Sequence, residues 1–591
     1  RGFQRIAHNS GLWLISRTRD MLAFTLSALK ISLKPVDRRL HSATRKCSFL
    51  PEKTQYTIRF VLSSTTAESG QPATSETFVE NFVRSAHEFG LFERKENFRS
   101  VCSSRGFSGF RENAKEAAFL VGVLSGIRGK EMKEVTGVFV TSHVAKSHGI
   151  GIIPIEHESR LLPPWRSEFI ESLSSSEDAT TFLSQLVDKG QIDLCLKTVV
   201  FTGRDFDLRQ PQPPTAASVS QTEPDDIMIA VEAGIRSVGG VASQCGLIPS
   251  PFLRQMVRAA NFGDIPHDFE LLSKLASAYI GAVTVAGGVD YLPSPVVIEC
   301  SNTAGLRVLD ILQRMLQDFL PIRFLPIDDQ ALQESSVPAL PSFAIGIASL
   351  FKPQNTYTRA PASPPTVRDK VATITSDCIG VNYSCEDGQD RSWEVTTISG
   401  YAIAALISAE IADMLQAAGL SDIADVQCVL VGPREQLRDG EAHFEKRQTE
   451  LLLKGRASVK LLERPSSEGE VEGPLEAFSC VMSAAATSGV GQSSSQPVVH
   501  VVYDLQGRGF VCFSESFKEC LRETEREIAA DRKAHEATKR MGLERLVQLS
   551  DLTVDSPECA NAVHTILLTE ALLAMKSWSI KRWAKWYSLC K

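Results

Sequence analysis

Three times along this chain a short run of β-branched residues meets a turn and an apolar stretch at helical spacing. That recurrence restricts the fold to helices layered on largely parallel sheets, an α/β architecture. The first cycle holds the runs Gly137-Val-Phe-Val-Thr141 and Thr198-Val-Val-Phe-Thr202, with a helical pattern over 227–238. The second reads as a strand over 295–300, the turn Ser301-Asn302-Thr303-Ala304-Gly305, a helix over 308–319 and a strand over 322–325. The third reads as a helix over 398–418 and strands over 426–431 and 498–503.

At 591 residues the chain has room for three or four domains of ordinary size. The cycles predict an N-terminal extension over 1–95, a first domain over 96–290 and a second over 291–395. A third follows over 396–545, and 546–591 reads as a helical segment leading onward. Two stretches rich in Pro, Ser, Thr and Gly, 352–390 and 432–497, read as inserted loops, because such composition buries too little apolar surface to order itself. Interleaved Glu and Arg or Lys over 519–545 read as one helix with a solvated face.

A net charge of −7 gives no broad electrostatic reason to bind nucleic acid. The 13 cysteines include no C-x-x-C pair, which fits a reducing, cytoplasmic setting better than a disulfide framework. The first 46 residues carry many Arg and Lys and only Asp20 and Asp37 as acids. Organelle transit peptides share that bias, so targeting by the extension stays open beside the cytoplasmic reading. No run of about 18 uninterrupted apolar residues occurs, and no membrane span is expected.

Several collinear segments resemble phosphoacetylglucosamine mutases, a branch of the α-D-phosphohexomutase superfamily. Residues 106–111, Gly-Phe-Ser-Gly-Phe-Arg, resemble that family's G-T-A-G-F-R, and Gly203-Arg204-Asp205 its G-R-D-T-R. Residues 246–253 resemble G-L-L-T-T-P-Q-L, 298–305 resemble V-D-C-A-N-G-I-G, and 398–408 resemble I-D-G-D-K-I-A-T-L-I-S. Residues 570–575 resemble E-A-I-L-A-L. The resemblance implies successive phosphohexomutase-type domains with mixed sheets. It also implies interconversion of N-acetylglucosamine 6-phosphate and 1-phosphate, on the route to UDP-N-acetylglucosamine, through a phosphoserine and a magnesium ion.

Each chemical need of that reaction maps onto a motif. The nucleophile loop of the family reads T-A-S-H-N-P, where this chain has Thr141-Ser142-His143-Val144-Ala145-Lys146. Ser142 is the candidate phosphoserine with His143 beside it if one residue is deleted from the loop. Without that gap His143 takes the serine position, and an exposed loop serine is the plain alternative. The three aspartates of D-G-D-A-D-R, laid over 342–349, become Ala344, Gly346 and Ala348, which offer magnesium no oxygen. No cofactor is therefore expected of this chain, and the acids Asp328, Asp329 and Glu334 read as solvated. The histidines His143, His148 and His157 match no metal-ligand spacing.

The sugar loop E-A-N-G-H-G-T corresponds to Asp504-Leu505-Gln506-Gly507-Arg508-Gly509-Phe510. Asp504 is the candidate acceptor for sugar hydroxyls, Arg508 a candidate phosphate contact, and Gly507 and Gly509 permit close approach. A strand-to-helix turn whose glycines serve geometry alone is the equal alternative. Arg111, Arg204 and Arg209 are the remaining anion-binding candidates, with Asp207 where a second arginine is expected. No R-P-S-G-T-E motif of a fourth, phosphate-binding domain occurs, so the chain reads as lacking most or all of that domain. These gaps predict a homologue with impaired or lost activity. Its partners would be a phosphorylated amino sugar, if any ligand is retained, or an intact mutase that it binds or regulates.

Overall fold

In the computed structural model the described residues are 75–92, 107–109, 114–127, 135–141, 150–155, 165–192, 198–205, 224–261, 268–287, 295–324, 370–375, 377–387, 394–432, 440–463, 497–530, 537–554 and 556–588. All lie within one unit, Ala67–Lys591. Helix α1 (Ser75–Glu88) places Phe78, Val79, Phe82 and Ala86 on one face and buries them in the first core. Residues read as the end of an extension thus belong to the packed body. The helical period of those four apolar positions was the signal for it.

The first sheet has strands β1 (Phe107–Gly109), β2 (Val135–Thr141), β3 (Ile150–Ile155), β4 (Val199–Arg204) and β5 (Val241–Leu247), in the order β1-β3-β2-β4-β5. Pairings β1–β3 and β3–β2 are antiparallel, β2–β4 and β4–β5 parallel. Alternation along β2 sends Val138 and Val140 to one face and Phe139 to the other. The first face is covered by α2 (Ala114–Gly126), α3 (Trp165–Ser172), α4 (Ser176–Asp188) and α5 (Pro224–Ser237), together with α1. The second face meets α6 (Ser250–Asn261) and α7 (Asp268–Gly287) in a core shared with the rest of the unit.

The second sheet repeats the plan. Strand β6 (Val296–Cys300) leads into α8 (Thr303–Leu316), whose cap Asn302 accepts the Gly305 N–H at 2.9 Å. Strands β7 (Ile322–Phe324), β8 (Val371–Ile374), β9 (Val381–Asp387) and β10 (Glu394–Ile398) complete the order β10-β9-β8-β6-β7. Again two antiparallel pairings are followed by two parallel ones. Strands β8 and β9 lie inside the stretch 352–390 read as an inserted loop. A four-residue strand carries little periodicity of its own, and the partner that orders β8 is β6, some 70 residues away in sequence.

The third sheet follows α9 (Gly400–Ala418). Its strands are β11 (Asp425–Gly432), then, after α10 (Glu441–Leu453), β12 (Ser458–Glu463), β13 (Val498–Asp504) and β14 (Gly509–Phe513), in the order β12-β11-β13-β14. Helix α10 and strand β12 lie within 432–497, so that stretch too holds a β-α-β crossover where a loop was expected. Helix α9 is long and apolar enough by composition to cross a membrane, but 16 of its 19 residues are buried within the protein, which marks it as a core helix.

The charged stretch 519–545 divides between α11 (Glu515–Ala530) and α12 (Ala537–Ser550). The second of these buries Gly542, Leu543, Leu546 and Leu549, so only α11 is the solvated face predicted. Helix α13 (Ala562–Met575) buries 13 of its 14 residues and α14 (Ile580–Ser588) seats Trp583 fully in the same core. The segment read as leading onward is therefore integral to the body that precedes it.

Burial shifts the titration of a histidine in this core. His500, on β13 between Gln427 of β11 and Cys512 of β14, is 5% exposed. Burial, with the Lys460 charge as the smaller cause, lowers its pKa to about 4 from about 6.5. The unfolded chain then binds the extra proton between those values, so stability rises with pH across that window and falls as pH drops through it. Urea midpoints should fall from pH 7 to pH 4, by about 1–2 kcal/mol attributable to this group, and His500→Gln should remove that share. An unchanged pH profile in the variant would assign the slope elsewhere.

Candidate functional site

Side chains at the C-terminal ends of β4, β6, β8 and β13, the strand ends at which α/β folds bind ligands, act on one another across the sheets. At the end of β2, Thr141 donates its hydroxyl to Asp205 at 2.6 Å, and Asp205, 6% exposed, follows directly on Arg204 at the end of β4. Arg204 is half-buried there. At the end of β6 stands Cys300, and the short loop from β8 to β9 carries Asp377 and Cys378. The Cys378 thiol is pushed well up, first by its hydrogen bond to Cys300, then by burial and by the charges of Cys300, Asp377 and Asp205. First and second sheets therefore share this patch electrostatically.

The third sheet enters through 504–509. Asp504, at the end of β13, accepts the Arg508 N–H at 2.8 Å and its Oδ2 lies 3.9 Å from the Arg508 guanidinium. Arg508 in turn donates from Nε to Asp377 Oδ2 at 2.9 Å, with side-chain exposures of 14% and 4%, and also reaches Gln506. Backbone bonds fasten the same loop to both neighbours: Val381 N–H to Gly507 O at 3.1 Å and Gly400 N–H to Leu505 O at 3.2 Å. Gly507 has φ +74, and a Cβ there would run into the Val381 carbonyl.

The residues singled out from sequence distribute unevenly over this geometry. Arg204, Asp504, Gly507, Arg508 and Gly509 come to the strand-end region together. Ser142, His143, Arg111, Arg209, Asp207, His148, His157, the acids 328, 329 and 334, and the segment 342–349 lie outside the described residues. Arg508, expected as a phosphate contact, is held by Asp377, and Asp504 holds its own turn. In this conformation both serve the seam between second and third sheets, because opposite charges this deeply buried require partners.

Asp377, a buried acid at this seam, is not among the residues singled out from sequence. The D-G-D-A-D-R motif belongs on a loop after a strand, and Thr375-Ser376-Asp377-Cys378-Ile379-Gly380 is such a loop between described strands. In that register the three alternating acid positions are Thr375, Asp377 and Ile379. The available signal was the run Val371-Ala-Thr-Ile374 ahead of a single acid, obscured by assigning 352–390 to a loop. Asp377 Oδ1 accepts the Thr375 hydroxyl and the Ile379 N–H at 3.0 Å, while Oδ2 takes Arg508. Among the described residues no group of three or more His, Cys, Asp or Glu is placed to hold a metal ion.

No family model matches the chain. The phosphoacetylglucosamine mutase of Arabidopsis thaliana is 22% identical over 506 residues, which cover 83% of this chain and 80% of that protein. The mouse phosphoacetylglucosamine mutase is 26% identical over 208 residues, so the matched stretch spans only 36% of that relative. Among solved structures, Aspergillus fumigatus N-acetylphosphoglucosamine mutase superposes with a TM-score of 0.60 at 17% identity, over 86% of this chain and 83% of that one. An N-acetylglucosamine-phosphate mutase described as a member of the α-D-phosphohexomutase superfamily gives the same TM-score at 13% identity, over 86% and 84%. The chain is similar in sequence to phosphoacetylglucosamine mutases and shares the fold of solved members of the α-D-phosphohexomutase superfamily.

Proposed function

We propose that this chain keeps the phosphoacetylglucosamine mutase scaffold as a site for a phosphorylated amino sugar, with the metal-dependent step impaired. Support for the ligand class comes from relatives: the Aspergillus fumigatus enzyme is described in complex with GlcNAc-6P and magnesium. Support for impairment comes from one observation, the state of Asp377. Magnesium takes hard oxygen donors in near-octahedral array, usually with more than one carboxylate or phosphate among them. The loop 375–380 offers a single carboxylate, and its lone pairs are engaged by a hydroxyl, a backbone N–H and a guanidinium. A divalent cation beside Arg508 meets a like charge in place of an anionic cage, so these residues do not fit the ion. The alternative register over 342–349 holds no carboxylate at all.

The consequence is a rate. Charge stabilisation by a metal is worth several kcal/mol in phosphoryl transfer, which corresponds to roughly a thousandfold or more. Purified protein assayed for interconversion of the two N-acetylglucosamine phosphates, with magnesium and a hexose bisphosphate primer, should run at least about a thousandfold below an intact mutase. N-acetylglucosamine 6-phosphate should nevertheless protect the protein against thermal unfolding. Full turnover that Ser142→Ala abolishes would overturn the impairment, and failure of the sugar phosphate to bind would overturn the ligand class.

A further inference from the structure

Cys300 and Cys378 are a pair that the mutase relation leaves unused. Both are free thiols, 1% and 5% exposed. One closes β6 and the other sits in the β8–β9 loop, 78 positions apart in sequence, yet their sulfurs crowd the same point. A Cβ on Gly305 would lie 2.9 Å from Cys300 Sγ and 2.8 Å from Cys378 Sγ. Cys300 also lies 3.5 Å from the Asn302 carbonyl, in the turn that caps α8. Cys378 has φ +59, a left-handed conformation rarely adopted by a residue with a Cβ. It is one of three such non-glycine residues among those described, and it stands beside Asp377 in the loop that ties the second sheet to the third.

We infer that Cys300 and Cys378 form a reversible dithiol–disulfide couple at the rim of the strand-end site. Cys300 is the attacking sulfur: the hydrogen bond from Cys378, set against the opposing effect of burial and helped by the Asn302 backbone, holds its thiol below the usual range. With a peroxide as oxidant the thiolate displaces hydroxide from the O–O bond, giving a sulfenic acid at Cys300. The Cys378 sulfur then attacks that sulfur, loses its proton and expels the hydroxyl group as water, so that two thiols and one peroxide become one disulfide and two waters. Hydrogen peroxide is close to water in size and reaches the pair by local opening of the short loop. The product staples the loop holding Asp377 to the start of α8. Nothing in this depends on the proposed ligand or on turnover, so either conclusion survives the failure of the other.

The test uses the full chain and hydrogen peroxide, followed by alkylation in denaturant, proteolysis and mass spectrometry. The expected product is a linked peptide pair containing Cys300 and Cys378, two hydrogens lighter than the reduced pair and returned to thiols by a phosphine. Cys428 is an internal reference, fully buried with its thiol pushed up to about 12, and the pair should react at least about tenfold faster. In Cys378→Ser, which lacks the resolving thiol, a dimedone adduct should accumulate on Cys300. Oxidation of the two cysteines singly, with no linked peptide, or a rate no greater than that of Cys428, would overturn the inference; the wild-type arm needs no variant to fold.

Discussion

Replacing Lys370 with alanine is expected to cost about 3–5 kcal/mol, enough to threaten a fold whose net stability is of order 5–15 kcal/mol. Lys370 immediately precedes β8 and is 3% exposed; Glu570, in the middle of α13, is 1% exposed, and their charged atoms meet at 2.5 Å. Around them stand Tyr279 and Tyr383, whose phenols are pushed well up, first by burial and then by the Glu570 charge. Removing the ammonium strands a carboxylate among groups that cannot answer its charge, which is why breaking such a pair costs far more than the pair contributes. Urea unfolding followed by tryptophan emission reads this directly, since Trp583 lies edge-on to Tyr383 at 5.6 Å. The pair Lys370→Met with Glu570→Leu should recover most of the loss. Equal losses in the single and double variants would mean that packing, and not charge, holds α13 to the second sheet.

Gly507→Ala is the second large effect, expected at about 2–5 kcal/mol. Two penalties add there: about 1–2 kcal/mol for a Cβ in the left-handed region and about 1–3 kcal/mol for forcing the methyl into the Val381 carbonyl. Gly455 separates the two. It has φ +75 with no atom within 4 Å of its absent Cβ, so Gly455→Ala should lose only the smaller, conformational part. The Gly507 variant should also release the Val381 amide, bonded to Gly507 O at 3.1 Å, to faster hydrogen exchange. A Gly507 variant no weaker than the Gly455 variant would show that the loop shifts freely and that the seam around Arg508 and Asp377 is soft.

The legible part of this molecule was local. Strands in the three cycles, the long α9 and the turn before α8 were readable because hydrophobic period and capping chemistry are written in neighbouring residues. The glycines of the 504–509 loop were legible as turn glycines, though the turn joins two strands, β13 and β14, and not a strand to a helix. Asp377 was not legible: its local sign, a four-residue strand ahead of a single acid, is too short to stand out within a stretch rich in Pro, Ser and Thr. What ordered β8 was β6, and what claimed Asp377 was Arg508, 131 positions later.

Amino-acid order alone determined the α/β class, the successive cycles and the resemblance to the mutases, since all three rest on contiguous patterns. Only the tertiary structure decided which of the described stretches are ordered, that α13 is buried in the core, and that Arg508 answers a carboxylate in preference to an open anion site. The physical reason is burial. A charge's partner and a short strand's register are chosen by what lies across the core, and no window along the chain contains both sides of it.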